Sequence, residues 1–281
     1  MAPQDAILGW DEASNAEAYN AFTLDHPMYD TTSHDLARRG HLADASLVID
    51  LCGGAGATAR AILGLIPASA RVVSVDNAAA MQRVGRRTLT DTRLTWITSP
   101  AERLADHLHA SSADAVVCNS AIWKTDTAAV FAAVAHTLRP GGHFVFNIGG
   151  GFAGVRHPDE LTARTGPSLN ALIQQVAAEA HGYTPAPRDA DRPPKLPLET
   201  VTEQLTAAGL AVVGTEVTAQ HSTMAERKAW LSIPLFARPE GDFTHAQRMQ
   251  ILDTAYAMTT PDAPAVTSWL VVVAQRPKAA V

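Results

Sequence analysis

The sequence is short of the residues that commit a chain to several large classes of function. It has two cysteines, Cys52 and Cys118, each at the end of an apolar run. Two are too few for a disulfide framework or a zinc site and suit reduced, half-buried thiols in a reducing compartment. Basic residues are outnumbered, with 22 Lys and Arg against 28 Asp and Glu and a formal charge of -6. No basic stripe interleaved with aromatics is laid out to neutralise phosphates, so no nucleic-acid partner is expected. No segment reaches the about 18 consecutive apolar residues of a membrane span. The opening "MAPQDAILGWDEASNAEAYN" has no basic region followed by an apolar core, so the reading is cytoplasmic, with no membrane partner. What is there is an ordinary globular composition, 281 residues that are 47% hydrophobic and 18% charged, enough for one large domain or for one domain plus an elaborated lid.

Short apolar runs alternate with helical periodicity, the pattern of a parallel sheet wrapped by helices. Strands are predicted at 47–51, 71–76, 93–98, 114–119, 143–148, 210–218 and 267–275, with helices at 57–66, 77–89 and 125–138. "LRPGGHFVF" from Leu138 reads as a helix stop, a Pro-Gly-Gly turn and a strand. After Gly149 the regularity fails. Residues 150–200 read as an insertion with one helix at 168–181 and a stretch, "YTPAPRDADRPPKLP", too proline-rich for either regular element. A second irregular block, about 220–265, contains the helical pattern "TMAERKAWL" and a helix near 245–258. The expected fold is α/β, a Rossmann-like seven-stranded doubly wound sheet with an N-terminal helical cap and a lid insertion after strand five. The expected segments are a cap at 1–44, a core at 45–150, covering segments that include strand six at 151–265, and a final strand and tail at 266–281.

The glycine turn of "VIDLCGGAGATARAIL" follows the first strand, where open α/β sheets bind ligands. Gly53, Gly54 and Gly56 allow a sharp turn and close approach of a ligand. Their spacing alone decides little between nucleotides, but charge decides more. A carboxylate at Asp50, just before the turn, would repel a pyrophosphate and attract an ammonium or sulfonium group. An amino-acid-bearing nucleoside cation fits that position better than a dinucleotide. Asp76 ends the second strand, where an acidic residue can accept hydrogen bonds from two adjacent ribose hydroxyls. Asn77 and Met81 follow it, the thioether placed to pack on an adenine face. In "ITSPAERL", after the third strand, Ala101 and Glu102 are placed to address the adenine edge.

Over residues of about 45–150 the chain resembles the class I S-adenosylmethionine-dependent methyltransferases, and among them the small-molecule methyltransferases of bacterial secondary metabolism. "VIDLCGGAGATA", "VVSVDNAAAM", "SPAERL", "DAVVCNSAIW" and "LRPGGHFVF" carry the resemblance in order. It implies that Asp50 and Gly53 to Gly56 border the methionine part of S-adenosyl-L-methionine, that Asp76 binds the ribose, and that Ala101 and Glu102 flank the adenine. Pro100 stands where the family usually has Asp, which leaves Ser99 as the substitute partner for the adenine amino group. In the N-terminal helical segment, Tyr19 and Tyr29 are candidates to reach the methionine carboxylate or the sulfonium. Asn119 and Trp123 follow strand four, where the methyl leaves, and Asn119 is the polar group expected to face the reactive end. Asn119 and Tyr29 are therefore the catalytic candidates; no metal is expected.

Methyl transfer needs positioning more than acid-base chemistry. His26, His157 and His221 are candidate bases in lid-like segments, but none has a diagnostic neighbour, so the sequence assigns no base. Phe152, Leu169, Leu172, Ile173 and Tyr183, with Trp230, Ile233, Leu235 and Phe236, are candidates to line an apolar acceptor pocket. The reading is methyl transfer to a small, partly apolar metabolite, with a homodimer possible. The alternative is a non-methylating enzyme on the same cofactor, either a cyclase or lyase that releases methylthioadenosine or a cofactor-assisted cyclase.

Overall fold

The computed structural model describes residues 8–163, 166–185 and 193–278. The first seven residues, the tip of the proline-rich stretch at 186–192 and the last three residues of the predicted tail lie outside them. The chain opens with α1 (Ala13–Asp25) and α2 (Met28–Arg39), then β1 (Leu47–Leu51), α3 (Ala57–Leu63), β2 (Arg71–Asp76), α4 (Ala79–Thr88), β3 (Leu94–Thr98) and β4 (Ala113–Cys118). It continues with α5 (Thr127–Thr137), β5 (Leu138–Gly149), α6 (Gly150–Ala153), α7 (Pro158–Thr162), α8 (Leu169–His181) and α9 (Leu198–Ala207). Last come β6 (Ala211–Thr223), α10 (Met224–Leu231), α11 (His245–Ala257) and β7 (Pro264–Gln275).

All seven strands join one sheet in the order β3-β2-β1-β4-β5-β7-β6, with β7 antiparallel to both of its neighbours. This is the expected Rossmann-like α/β arrangement. The strands read as apolar runs because helices cover both faces of the sheet. Their alternation sorts side chains between two cores: Ile49, Val73 and Val116 pack on one face, and Val48, Val72 and Val117 on the other. Strand order reverses beside β1, between β2 and β4, which opens a crevice at the carboxyl ends of these strands.

The predicted Pro-Gly-Gly turn is present as a bulge inside one long strand. Ala113 pairs with Leu138 and Ala115 with His143, so residues 139–142 have no counterpart on β4. The second irregular block is shorter than expected at both ends, because β6 runs on to Thr223 and β7 starts at Pro264. These ends escape an apolar-run criterion because "AQHST" is polar; they pair in a ribbon that continues the β6–β7 register. The helices of the two irregular blocks share a core of their own, in which Leu169, Leu172, Ile173 and Val176 of α8 pack with Leu231 of α10 and Ile251 and Leu252 of α11. α9 belongs to the sheet layer, with Val201 and Leu205 in the main core. Among the described residues, no helix is long and apolar enough to cross a membrane.

Candidate active site

Two cavities open at the carboxyl edge of the sheet. The first, of about 540 Å³, is bordered by the ends of β1, β2 and β4 and roofed by the N-terminal segment. Of the predicted residues it gathers Tyr19, Tyr29, Gly53, Gly54, Asp76, Asn77, Met81, Ala101, Glu102 and Asn119. The second, of about 1240 Å³, lies under the accessory helices and takes Trp123, Phe152, Leu169, Leu172, Trp230 and Phe236 into its wall. Trp10, Tyr19, Tyr29, Ser120 and Lys124 line both.

Asp76 holds the floor of the first cavity. Its Oδ2 accepts from the Gly54 amide at 2.9 Å and its Oδ1 from the Ala78 amide at 2.7 Å. The carboxylate thus ties the glycine turn to the start of α4 and keeps a lone pair on each oxygen for a ligand. Burial pushes its pKa up, against the two backbone donors.

Asp50 is the main departure from the sequence reading. It does not line the cavity and is fully buried. Strand parity turns it onto the face of Val48, where its register partner Ser74 donates to Oδ2 at 3.0 Å. Its Oδ1 has no hydrogen-bond partner among the described residues. Burial without a counter-charge pushes its pKa up to about 7, only partly offset by Ser74. Gly53 makes room for this pair: a Cβ there would fall 2.2 Å from both Asp50 Oδ2 and Ser74 Oγ. Gly56, at φ +90°, faces the Trp96 ring at 2.7 Å from a would-be Cβ and is not in the cavity wall. Of the three glycines, only Gly53 and Gly54 border the ligand space.

Asn119 lines the first cavity with its amide fully engaged. Its Nδ2 donates to Thr32 Oγ1 and Ser33 Oγ, both at 3.0 Å, and its Oδ1 accepts from Ser120 Oγ and Asn147 Nδ2, also at 3.0 Å. The side chain ties α2 to the end of β4 and has no donor left for a substrate. Cys52 and Ser120, the residues that follow β1 and its neighbour at the end of β4, adopt left-handed φ of 56° and 58°. Such non-glycine conformations persist where surrounding contacts hold them. Ser120 is held by its amide donating to Asn147 Oδ1 at 2.6 Å. Ser99, the substitute expected for the adenine contact, is buried with its hydroxyl turned to the Pro100 carbonyl, while Pro100 itself lines the cavity. Trp123 stacks on Phe152 at 4.9 Å in the second cavity and takes no part in the first.

The shared wall is aromatic and carries one cation. The Tyr19 and Tyr29 rings lie 4.9 Å apart, and the Trp230 Nε1 donates to the Tyr29 hydroxyl at 3.2 Å. Burial raises the pKa of both phenols, that of Tyr19 further because it donates to Tyr29. The Lys124 ammonium lies 4.1 Å from the Trp10 ring centroid. Burial lowers its pKa to about 8, against the pull of Cys52 and Asp76. No histidine lines either cavity among the described residues, and His221 instead meets Asp159 at 3.1 Å. Trp10 and Lys124 escaped the sequence reading. Trp10 precedes the first helix and carries no pattern, and Lys124 sits in a short turn whose direction the sequence does not reveal.

The site suits a nucleoside bearing an amino-acid arm. Asp76 offers two free lone pairs at one end, Met81, Ala78 and Pro100 form an apolar plate beside it, and aromatic faces close the other end. Both cysteines are free, and no group of side chains able to hold a metal occurs among the described residues.

Comparison with known proteins agrees with this geometry. Residues 48–142 match the methyltransferase-domain family. No curated protein matches the chain by sequence. Among solved structures, a Bacillus halodurans C-125 protein described as a methyltransferase is similar at a TM-score of 0.56 and 14% identity, over 88% of this chain and 100% of that one. The cyclase SpnF is similar at 0.55 and 13%, over 89% and 82%, and geranyl diphosphate methyltransferase in complex with SAM at 0.51 and 13%, over 88% and 85%. At such identities the likeness is one of fold. Residues 48–142 form a methyltransferase domain, and the chain as a whole shares the fold of the solved structures it resembles.

Proposed function

We propose that the protein transfers a methyl group from S-adenosylmethionine to a small, partly apolar metabolite of secondary metabolism, in a reducing cytoplasm. The observation that carries this reading is the meeting of two cavities at one wall of Trp10, Tyr19, Tyr29, Ser120 and Lys124. In this reading Asp76 holds the ribose, Met81 and Ala101 flank the base, and Tyr19 and Tyr29 face the amino-acid arm. When bound, the cofactor supplies an electrophilic methyl group. The chain's own task is to aim the acceptor at it and to keep water out. Tyr29, fixed by Trp230 and Tyr19, orients and does not act as a base, since its raised pKa keeps it protonated. Lys124 is the group able to take a proton from a protic acceptor, because its pKa of about 8 leaves a neutral fraction near neutrality and a cationic ligand beside it favours that form.

The size of the second cavity, more than the first, favours one other reading, in which a bulky substrate is folded there and cyclised beside an unconsumed cofactor. Thermal-shift measurements separate the cofactor classes. S-adenosylhomocysteine at about 100 times its dissociation constant should add about 2.7 kcal/mol of stability. An equal shift with NAD or NADP overturns the proposal. Incubation with methyl-tritiated S-adenosylmethionine and a metabolite panel should give labelled product and S-adenosylhomocysteine in equal amounts. Turnover without consumption of the cofactor selects the cyclase, and methylthioadenosine without an acceptor selects a lyase.

A further inference from the structure

The charged groups of the second cavity are not balanced. Among the described residues, four of its lining side chains ionise strongly: Lys124, Glu160, Arg227 and Arg238. Glu160 accepts from the Ser268 hydroxyl at 2.6 Å, and Arg238 lies 3.7 Å from Glu240. The Lys124 ammonium rests on Trp10 in the wall that the two cavities share. Arg227 differs from all three. Its guanidinium lies 5.2 Å from the Trp230 ring centroid, and it has no ion pair and no hydrogen bond with any described residue. A half-buried guanidinium that meets no described protein acceptor keeps its donors open to the cavity, where an anion can take them. Burial lowers its pKa, and the groups that act on it electrostatically are Tyr29 and Glu160.

We propose that Arg227 anchors the carboxylate of an acceptor whose apolar body fills the rest of the second cavity. This rests on the reading of that cavity as the acceptor site. One unpaired guanidinium matches one negative charge, and its planar fork matches two carboxylate oxygens. A dianion is disfavoured because Glu160 shares the cavity. Arg227 precedes Trp230 by one helical turn of α10, and Trp230 holds the Tyr29 hydroxyl, so the anchor stands beside the shared wall. The apolar body has Leu169, Leu172, Phe152, Met224 and Trp269 to pack on.

The test is calorimetry on the full chain saturated with S-adenosylhomocysteine. The probes are octanoate, 3-phenylpropanoate and indole-3-propanoate, their primary amides, and octyl phosphate. At least one carboxylate should bind, with its amide at least about tenfold weaker. Arg227→Gln should lose about tenfold or more for the carboxylate and nothing for the amide, and Arg227→Lys should recover part of the loss. Each variant is checked for an unchanged affinity for S-adenosylhomocysteine, which also shows that it is folded. Absence of binding by every carboxylate, amides that bind equally, or an unaffected Arg227→Gln overturns the proposal. Tighter, Arg227-dependent binding of octyl phosphate overturns the choice of a carboxylate. If S-adenosylhomocysteine itself fails to bind the native protein, the failure belongs to the cofactor assignment.

Discussion

The two cavities are built in opposite ways. Cys52, Asp76 and Asn119 border the first at positions that directly follow or end β1, β2 and β4, so the sheet itself sets their places. The second draws its wall from α1, α2, the end of β5, α8, α10 and β7, segments separated by up to some 250 residues. Its members are brought together by a separate small core and by contacts such as the stack of Trp230 on Phe236 at 4.0 Å and the Met28 amide donating to Glu226 at 3.1 Å. A cavity made of strand ends changes little when its surroundings vary. One made of helices hung on a ribbon can be reshaped without disturbing the sheet. On the proposed reading, the fold thus separates a fixed site for the cofactor from an adaptable site for a particular acceptor.

The sharpest way to break this division is Asp76→Ala. Loss of a charged acceptor from the first cavity should weaken S-adenosylhomocysteine by about 2 to 4 kcal/mol while leaving carboxylate binding in the second cavity within about threefold. Calorimetry showing an equal loss for both ligands would mean that the cavities do not act separately. Next in size, Gly53→Ala forces a methyl group against Asp50 and Ser74 and should lower stability by about 1 to 3 kcal/mol in denaturant titration. An unchanged midpoint would show that the floor of the first cavity yields, contrary to its description as fixed.

A third prediction concerns pH. The Asp50 carboxyl has a folded pKa of about 7 against an ordinary value near 3.8. Between these values the folded protein holds a proton that the unfolded chain has released. Asp50 therefore supports stability fully below about pH 4, and that support is lost as pH rises toward 7, with a slope of up to about 1.4 kcal/mol per unit. Asp50→Asn should flatten this part of the stability curve and leave the selectivity between S-adenosylmethionine and S-adenosylhomocysteine unchanged. A lost preference for the cation would put the carboxylate back in the ligand's field. The smallest effect is expected at the shared wall: Trp10→Ala removes one face packed on Tyr19, Phe236 and Lys124 and should cost about 1 kcal/mol in each cavity, where Asp76 and Arg227 variants act on one alone.

The first cavity was legible residue by residue because its signals are local. Asp76 ends an apolar run, Met81 lies one turn into the next helix, and Tyr19 and Tyr29 lie on adjoining helices. The second was legible only as a supply of apolar side chains. Phe152, Leu169, Leu172, Trp230 and Phe236 reach its wall, while Ile173, Tyr183, Ile233 and Leu235 pack into the cores beside it. The same periodicity marks both sets, since it reports that a side chain is covered and not by what. Asn119 lines the first cavity, as its position after β4 suggests, but its exhausted amide depends on Thr32, Ser33 and Asn147, from α2 and β5.

By itself the sequence determined the alternation of strands and helices, the turn after β1 and the acidic residue that ends β2, because each depends on neighbours within a few positions. Tertiary structure alone decided that Asp50 lies beneath the turn, that Lys124 and Trp10 meet, and that Arg227 faces a cavity without a partner among the described residues. These outcomes depend on strand parity, sheet register and the packing of helices far apart in the chain, and the free energy of a charge is set by what those contacts place around it.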